Sequence, residues 1–281
     1  MSRTVYVNGA FVAEENATIS IFDRGYLFAD GVYEVTAVIE GKMVDFDYHM
    51  ERLARSLGEI DLKMPVTIKE LRQVHRDLMA RNDLSNGLIY MHITRGVADR
   101  NFTYPENTKS AMIAFTQEMD LVNPPYVETG VKIATIPDIR WARRDIKSIA
   151  LLPQAMGKQA AHEKGAYEGW MVEDGLVTEG TSSTAYIVKD GVIITRPLSN
   201  AVLAGVTRRT LLALAREEGI ETEQRPFSVA EALEADEAFI TSASTLVLPV
   251  VEIDGHEIGS GQPGPVTRLM RETYIKTARE G

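Results

Sequence analysis

The chain has 281 residues, 44% of them hydrophobic and 25% charged, and its 30 lysines and arginines against 40 aspartates and glutamates give a formal net charge of −10. The absence of cysteine excludes disulfides, zinc–thiolate sites and a cysteine nucleophile. No apolar run approaches the roughly 18 residues of a membrane span, and the acidic balance argues against nucleic acid, whose binding needs a basic stripe. The N-terminal MSRTVYVNGAF lacks the apolar core of a signal peptide, so a cytoplasmic enzyme of one large or two modest domains is the expectation.

Thr4 to Val12 alternates in polarity around Asn8-Gly9, a strong hairpin signal, and similar signals recur at Glu40-Gly41, Asp174-Gly175, Asp190-Gly191 and Asp254-Gly255. In Phe22-Asp-Arg-Gly-Tyr-Leu-Phe-Ala-Asp-Gly-Val-Tyr33-Glu34-Val35, Gly25 and Gly31 punctuate a loop that leads into a strand. There Tyr33, Val35 and Ala37 share one face and Glu34 takes the other. Tyr33 fits either a hydroxyl offered to a pocket or a half-buried strand tyrosine. Asp47 to Leu57 has helical spacing and sets Arg52 beside His49 at i, i+3. Arginine suits a bidentate grip on phosphate, although a solvated helix arginine reads the same way. Thr67 to Met79 is a second helix, with Thr67 as cap and Glu70 three residues on. Leu88 to Thr94 and Ala111 to Phe115 read as strands. Met119 to Tyr126, with Asn123-Pro124-Pro125, is the linker. It divides the chain into two α+β parts, residues 1–120 and 121–281.

The second part opens with a strand, Val131 to Ile136, then Asp138-Ile-Arg-Trp-Ala-Arg-Arg-Asp-Ile-Lys147-Ser148, then a helix from Pro153 to Lys164. A lysine where a strand gives way to a turn can point into a cleft. Arg140, Arg143 and Arg144 could lower its pKa, as could burial, and such a lysine can form a Schiff base with an aldehyde. An ordinary solvated lysine has the same local sequence. In Val177-Thr-Glu179-Gly-Thr-Ser182-Ser183-Thr184 a lone carboxylate precedes a glycine and a hydroxyl run. A fixed carboxylate can hold a pyridine nitrogen protonated and make the ring a better electron sink; a polar surface loop is the plainer alternative. Leu203-Ala-Gly205-Val206-Thr207 opens a helix from Thr207 to Glu217, and free amides at such a start suit a phosphate, unless Thr207 is a plain N-cap. Val229 to Leu233 and Val266 to Thr277 are further helices. Phe239-Ile-Thr241-Ser242-Ala243-Ser244-Thr245 is a strand that ends in small hydroxyl residues able to line a phosphate site or simply to end the strand.

A lysine, an acid for a ring nitrogen, a tyrosine, an arginine and a helix start for a phosphate match the contacts that pyridoxal 5'-phosphate (PLP) needs. The ordered series DRGYLFADGVYEV, HMERL, IYMHITRG with PENT after it, DIRWARRDIKS, AHEKGAYE, VTEGTSS, LAGVTRR and FITSAS resembles the fold-type IV PLP enzymes over nearly the whole chain. Within them it is most similar to the bacterial D-amino-acid aminotransferases. The resemblance implies an α+β, two-domain fold: a small N-terminal α/β domain and a larger C-terminal domain with a mixed sheet or pseudo-barrel. It implies Lys147 as Schiff-base lysine and proton carrier, and Glu179 at the pyridine nitrogen. Arg52, Gly205, Val206, Thr207, Ser242 and Ala243 would hold the phosphate, Leu203 would pack on the ring, and Ser182 and Ser183 would lie near cofactor and substrate. Tyr33, Arg100, Phe102, Ser183 and Ser244 would contact the substrate. No metal is implied. The partners would be a small amino donor, a 2-oxo acid acceptor and a second copy of the chain in a homodimer.

Three positions depart from the family pattern. Phe102 stands where an Arg-x-His pair would put histidine, Thr184 where asparagine often follows the serines, and Ala243 where a phosphate-binding threonine is frequent. The first opens an alternative, an (R)-selective amine transaminase, ahead of a branched-chain L-aminotransferase or an aminodeoxychorismate lyase. A non-catalytic PLP-binding scaffold is the alternative outside enzymes.

Overall fold

Asn8 and Gly9, both at positive φ, turn β1 (Thr4–Val7) back into β2 (Ala10–Ala13), the geometry a two-residue hairpin loop demands. This hairpin starts the first of two units in a computed structural model of the chain, which describes residues 2–280. The first unit comprises the chain up to Asp120 together with Ile146–Ala150; the second comprises Leu121–Asp145 and Leu151–Glu280.

In the first unit, α1 (Arg24–Phe28) precedes β3 (Gly31–Ile39) and β4 (Lys42–Met43), followed by α2 (Phe46–Gly58), α3 (Ile68–Arg81), β5 (Gly87–Thr94) and β6 (Ala111–Glu118). The six strands lie in the order β2-β1-β6-β5-β3-β4, every pairing antiparallel. Leu53 and Leu57 of α2 and Leu71 and Leu78 of α3 are buried with Val32, Val38, Ile89, Met91 and Ile93 of the sheet. The stretch read as a loop before Tyr33 contains the short helix α1, because the Asp23 carboxylate accepts from the Gly25 amide at 2.8 Å and caps it. The Thr67–Glu70 capping box forms as the sequence indicates.

His75, on α3, is fully buried against Phe46. Its Nδ1–H donates to the Leu71 carbonyl at 2.8 Å, and its Nε2 has no partner among the described residues. Burial pulls its pKa down to about 4 from the usual 6.5. The unfolded chain therefore binds a proton that the folded chain refuses. The associated stability is fully present above pH 6.5 and is lost as pH falls from 6.5 through about 4, by up to roughly 3 kcal/mol. Urea midpoints measured between pH 7 and 4 should fall more steeply for the wild type than for His75→Leu; equal slopes would refute the assignment.

The second unit holds α4 (Tyr126–Thr129), β7 (Val131–Pro137), α5 (Leu152–Glu163), β8 (Glu168–Glu173), β9 (Leu176–Gly180), β10 (Thr184–Lys189), β11 (Val192–Thr195), α6 (Val206–Glu217), β12 (Thr222–Gln224), α7 (Val229–Leu233), β13 (Glu237–Ser242), β14 (Leu246–Ile253), β15 (His256–Glu257) and α8 (Pro265–Glu280). The sheet order is β12-β11-β10-β13-β14-β7-β8-β9, with β15 on β14, and β7 runs parallel to both its neighbours. Three residues, Thr181–Ser183, join β9 to β10, yet five strand spacings separate them in that order. A flat sheet would demand about 24 Å at ~4.8 Å per spacing, and three residues span at most about 15 Å between flanking Cα atoms. The sheet is therefore curled into a half-barrel. Its interior is packed by Trp170, Val177, Ile187, Ile194, Ile240, Leu248 and Ile253. Among the described residues no helix is long and apolar enough to cross a membrane.

Candidate functional site

The two units each assemble part of the predicted residue set. In the first, Ile146–Ala150 runs beside the start of β3. The Lys147 carbonyl accepts from the Tyr33 amide at 2.9 Å, the Ile149 amide donates to Gly31 at 3.1 Å, and the Lys147 amide donates to Ser56 Oγ on α2 at 3.3 Å. The main chain around Lys147 is thus pinned on both sides and its side chain is left for other use. Nζ lies 4.2 Å from the Tyr33 ring centroid, and Tyr33 in turn stacks on Tyr90. Among the described residues no carboxylate pairs with the Lys147 ammonium.

Arg52, on α2, binds Glu34 of β3 through Nε and Nη2 at 2.8 and 2.7 Å, and His49 Nδ1 lies 2.7 Å from the same carboxylate. Burial alone would raise the Glu34 pKa, but Arg52 and then His49 outweigh it and hold the carboxyl well below the usual range. For His49 burial wins over Glu34 and lowers its pKa, so the neutral ring donates to Glu34 and Arg52 supplies the balancing charge. Glu34 was legible only as the residue opposite Tyr33. A carboxylate inside an apolar strand is the signal that marks it, since such groups are almost never buried without a partner. Arg100 and Phe102 sit together on the 95–110 loop, the Arg100 guanidinium 5.4 Å from both the Phe102 and Phe28 ring centroids.

In the second unit Glu179 is 5% exposed. It accepts the Leu203 amide at 3.1 and 3.2 Å and pairs with Arg140, which is itself held by Asp138 at 2.7 Å. Burial pushes the Glu179 pKa up, and Arg140 and the Leu203 amide pull against it. The carboxylate is therefore fixed in direction by two donors. The three arginines read in the sequence as cationic neighbours of Lys147 are all engaged elsewhere. Arg140 engages Asp138 and Glu179, Arg143 engages Asp145, and Arg144 engages Glu173 and Asp138, so each cation is neutralised by a carboxylate.

Helix α6 begins at Val206 with Gly205 as its N-cap and no side-chain cap, so Thr207 is a first-turn residue and not the cap. By contrast α3 and α7 are capped by Thr67 and Ser228. A Cβ on Gly205 would stand 2.8 Å from Thr184 Oγ1, so the approach to this helix start is closed to a larger cap. Uncapped first-turn amides suit an anion. Ser242 ends β13 and Ala243, Ser244 and Thr245 form the turn after it, where Ser242 Oγ bonds Ser244 Oγ at 3.1 Å and Thr245 Oγ1 at 2.8 Å. Arg271 of α8 donates to the carbonyls of Thr245 and Val247 beyond that turn and of Leu121 and Val122 in the linker. Ser182 and Ser183 occupy the turn between β9 and β10, and both hydroxyls go to Glu168. A carboxylate fixed by donors, an uncapped helix start, a hydroxyl turn and a lysine without a carboxylate fit PLP in chemistry.

The sequence matches the family model described as amino-transferase class IV over residues 31–253. It is 41% identical over 275 residues to the D-alanine aminotransferase of Staphylococcus haemolyticus, covering 97% of this chain and 96% of that one. To the Bacillus licheniformis D-alanine aminotransferase it is 40% identical over 264 residues, with 94% and 93% covered. The fold is similar to that of the Escherichia coli branched-chain amino acid aminotransferase, with a TM-score of 0.92 at 24% identity over 98% of this chain and 94% of that one. The Thermoproteus uzoniensis branched-chain aminotransferase superposes with a TM-score of 0.88 at 26% identity over 99% and 95%.

Proposed function

The chain belongs to the amino-transferase class IV family, and we propose that it is a PLP-dependent aminotransferase that moves the amino group of a D-amino acid of the D-alanine class to a 2-oxo acid such as 2-oxoglutarate or pyruvate. The near-full-length similarity to D-alanine aminotransferases carries this reading, and the directed Glu179 carboxylate and the Lys147 side chain, which meets the Tyr33 ring and no carboxylate among the described residues, support it. When bound, PLP supplies an aldehyde for the amino group and an electron-poor ring for the developing negative charge. Lys147 Nζ would hold the cofactor through its aldehyde and would serve as the base that takes the proton from the donor's α-carbon and as the acid that gives it back. Glu179 would hold a proton on the ring nitrogen, with Leu203 against the ring. Arg52, the Gly205-Val206-Thr207 helix start and the Ser242-Ala243 turn would hold the phosphate. Tyr33, Ser183 and Ser244 would contact the donor, and Arg100 would bind its carboxylate bidentately. The two half-reactions make the kinetics ping-pong.

Adding D-alanine, L-leucine and (R)-1-phenylethylamine separately to the PLP-loaded protein tests this by visible absorption. Loss of the cofactor's band with D-alanine is expected. A response to L-leucine alone would overturn the D-amino-acid reading.

A second reading rests on Phe102, which is 76% exposed and packs on Phe28 at 5.3 Å. An aromatic ring in place of an imidazole donor makes that side of the pocket more apolar and favours (R)-amines as further substrates. Phe102→His should raise kcat/KM for D-alanine about tenfold, the lower end of 1–3 kcal/mol for a charged hydrogen bond, and lower it for (R)-1-phenylethylamine. Steady-state kinetics with both donors decide; an unmoved ratio of the two would sink the specificity argument.

We also propose a homodimer. Phe22, Tyr26, Val97, Phe102 and Tyr104 are each about half exposed or more. A main-chain bond from Ala98 to Phe22, and side-chain bonds from the Arg24 guanidinium to the carbonyls of Asn101 and Thr103, tie their loops into one apolar surface of the first unit. Such a patch on a soluble chain marks an interaction site. Sedimentation at the mass of one chain would refute it.

A further inference from the structure

Glu168, at the head of β8, is 1% exposed, yet it is surrounded by hydrogen-bond donors. Its Oε1 accepts the Gly169 amide at 2.8 Å and the Thr181 hydroxyl. Its Oε2 accepts the hydroxyls of Ser182 at 2.8 Å and Ser183 at 3.3 Å. Lys158 Nζ stands 3.6 Å from Oε1. The backbone of the same turn is closed independently: the Gly180 amide donates to Ser183 at 2.7 Å and the Thr181 amide to Gly169 at 3.0 Å. Ser183 folds back so far that a Cβ on Gly180 would meet its Oγ at 2.1 Å. Three consecutive hydroxyls, beginning two residues after Glu179, are thus gathered onto one buried carboxylate.

The direction of these bonds has a chemical consequence. A carboxylate accepts only, and a serine hydroxyl carries one proton and two lone pairs. Each hydroxyl that donates to Glu168 has no proton left for another group, so Ser182 and Ser183 can offer a ligand only an acceptor. We infer that Glu168 is a positioning residue that fixes the turn between β9 and β10 and sets the hydrogen-bond polarity of Ser182 and Ser183, which then accept from N–H or O–H groups of bound cofactor and amino donor. The inference rests on the reading above, in which those serines serve the reaction; it adds the carboxylate that aligns them. Glu168, 1% exposed, acts through these hydroxyls.

Glu168→Gln keeps the shape and introduces an amide that donates, which forces at least one hydroxyl to reverse. Ser182→Ala removes one of the hydroxyls through which Glu168 acts. Each single variant should weaken PLP binding to the apoprotein about tenfold, read by titration, and lower kcat/KM for D-alanine by a similar factor. Because Ser182 is one of the two serines through which Glu168 acts, the loss in the double variant should fall short of the product of the single losses. Multiplying losses in the double variant would overturn the inference. So would a Glu168→Gln protein that melts at lower temperature but binds PLP and turns over like the wild type, since that is purely structural behaviour. Wild-type protein that takes up no PLP would sink the functional reading and this inference together, whereas normal uptake with an unmoved Glu168→Gln would sink the inference alone.

Discussion

Lys147→Ala should lower turnover of D-alanine by at least about 10⁴-fold, because the change removes both the covalent anchor for the cofactor and the group that moves the α-proton. The loss should come without unfolding. What Lys147 contributes to the first unit's structure is its amide, on Ser56, and its carbonyl, on Tyr33, and alanine keeps both. Its Nζ meets the Tyr33 ring, a contact worth no more than about 1 kcal/mol at an accessible position. Steady-state assays paired with circular dichroism check this. Ordinary multiple turnover by a well-folded Lys147→Ala protein would remove the lysine from the mechanism.

The second large effect is expected from Glu179→Gln. Glutamine retains the volume and can still accept from the Leu203 amide, which now meets the carboxylate at 3.1 Å. It cannot hold a proton on a pyridine nitrogen through charge, so the ring becomes a poorer sink and kcat should fall by about 10²–10³-fold, the scale seen when a preorganised charge partner is removed. Arg140 would keep Asp138 at 2.7 Å, which limits the cost of leaving a buried cation without Glu179. The absorption maximum of the bound cofactor should shift as well. A kcat within threefold of the wild type would show that the ring nitrogen is governed by another group.

Much of this architecture was legible in the sequence because its signals are local. Asn8-Gly9 requires positive φ at two residues, and the Thr67–Glu70 box satisfies two helix amides, so each writes itself into a few adjacent residues. Lys147, Glu179 and the α6 start were visible as types at suggestive places, and the resemblance gave them roles. What stayed hidden depends on partners far along the chain. Arg140 and Arg144 look like bare cations until Glu179 and Glu173 fold back onto them. Glu168 reads as an ordinary strand start until the hydroxyls 13 to 15 positions later close on it. The short helix α1 escaped because five residues carry too little periodicity; its capping aspartate was the only clue.

The grouping of Ile146–Ala150 with the first unit bears on how such a protein can be cut and recombined. A gene split at codon 120 would yield a first fragment that has lost the hydrogen-bond acceptor of its Tyr33 amide, and a second that carries Lys147 on five residues whose packing partners are encoded elsewhere. Neither piece is a transferable cassette. Exchange of the N-terminal 120 residues between relatives should therefore succeed only when those five residues travel with them, and the lysine is inherited through one segment of the gene while being positioned by another.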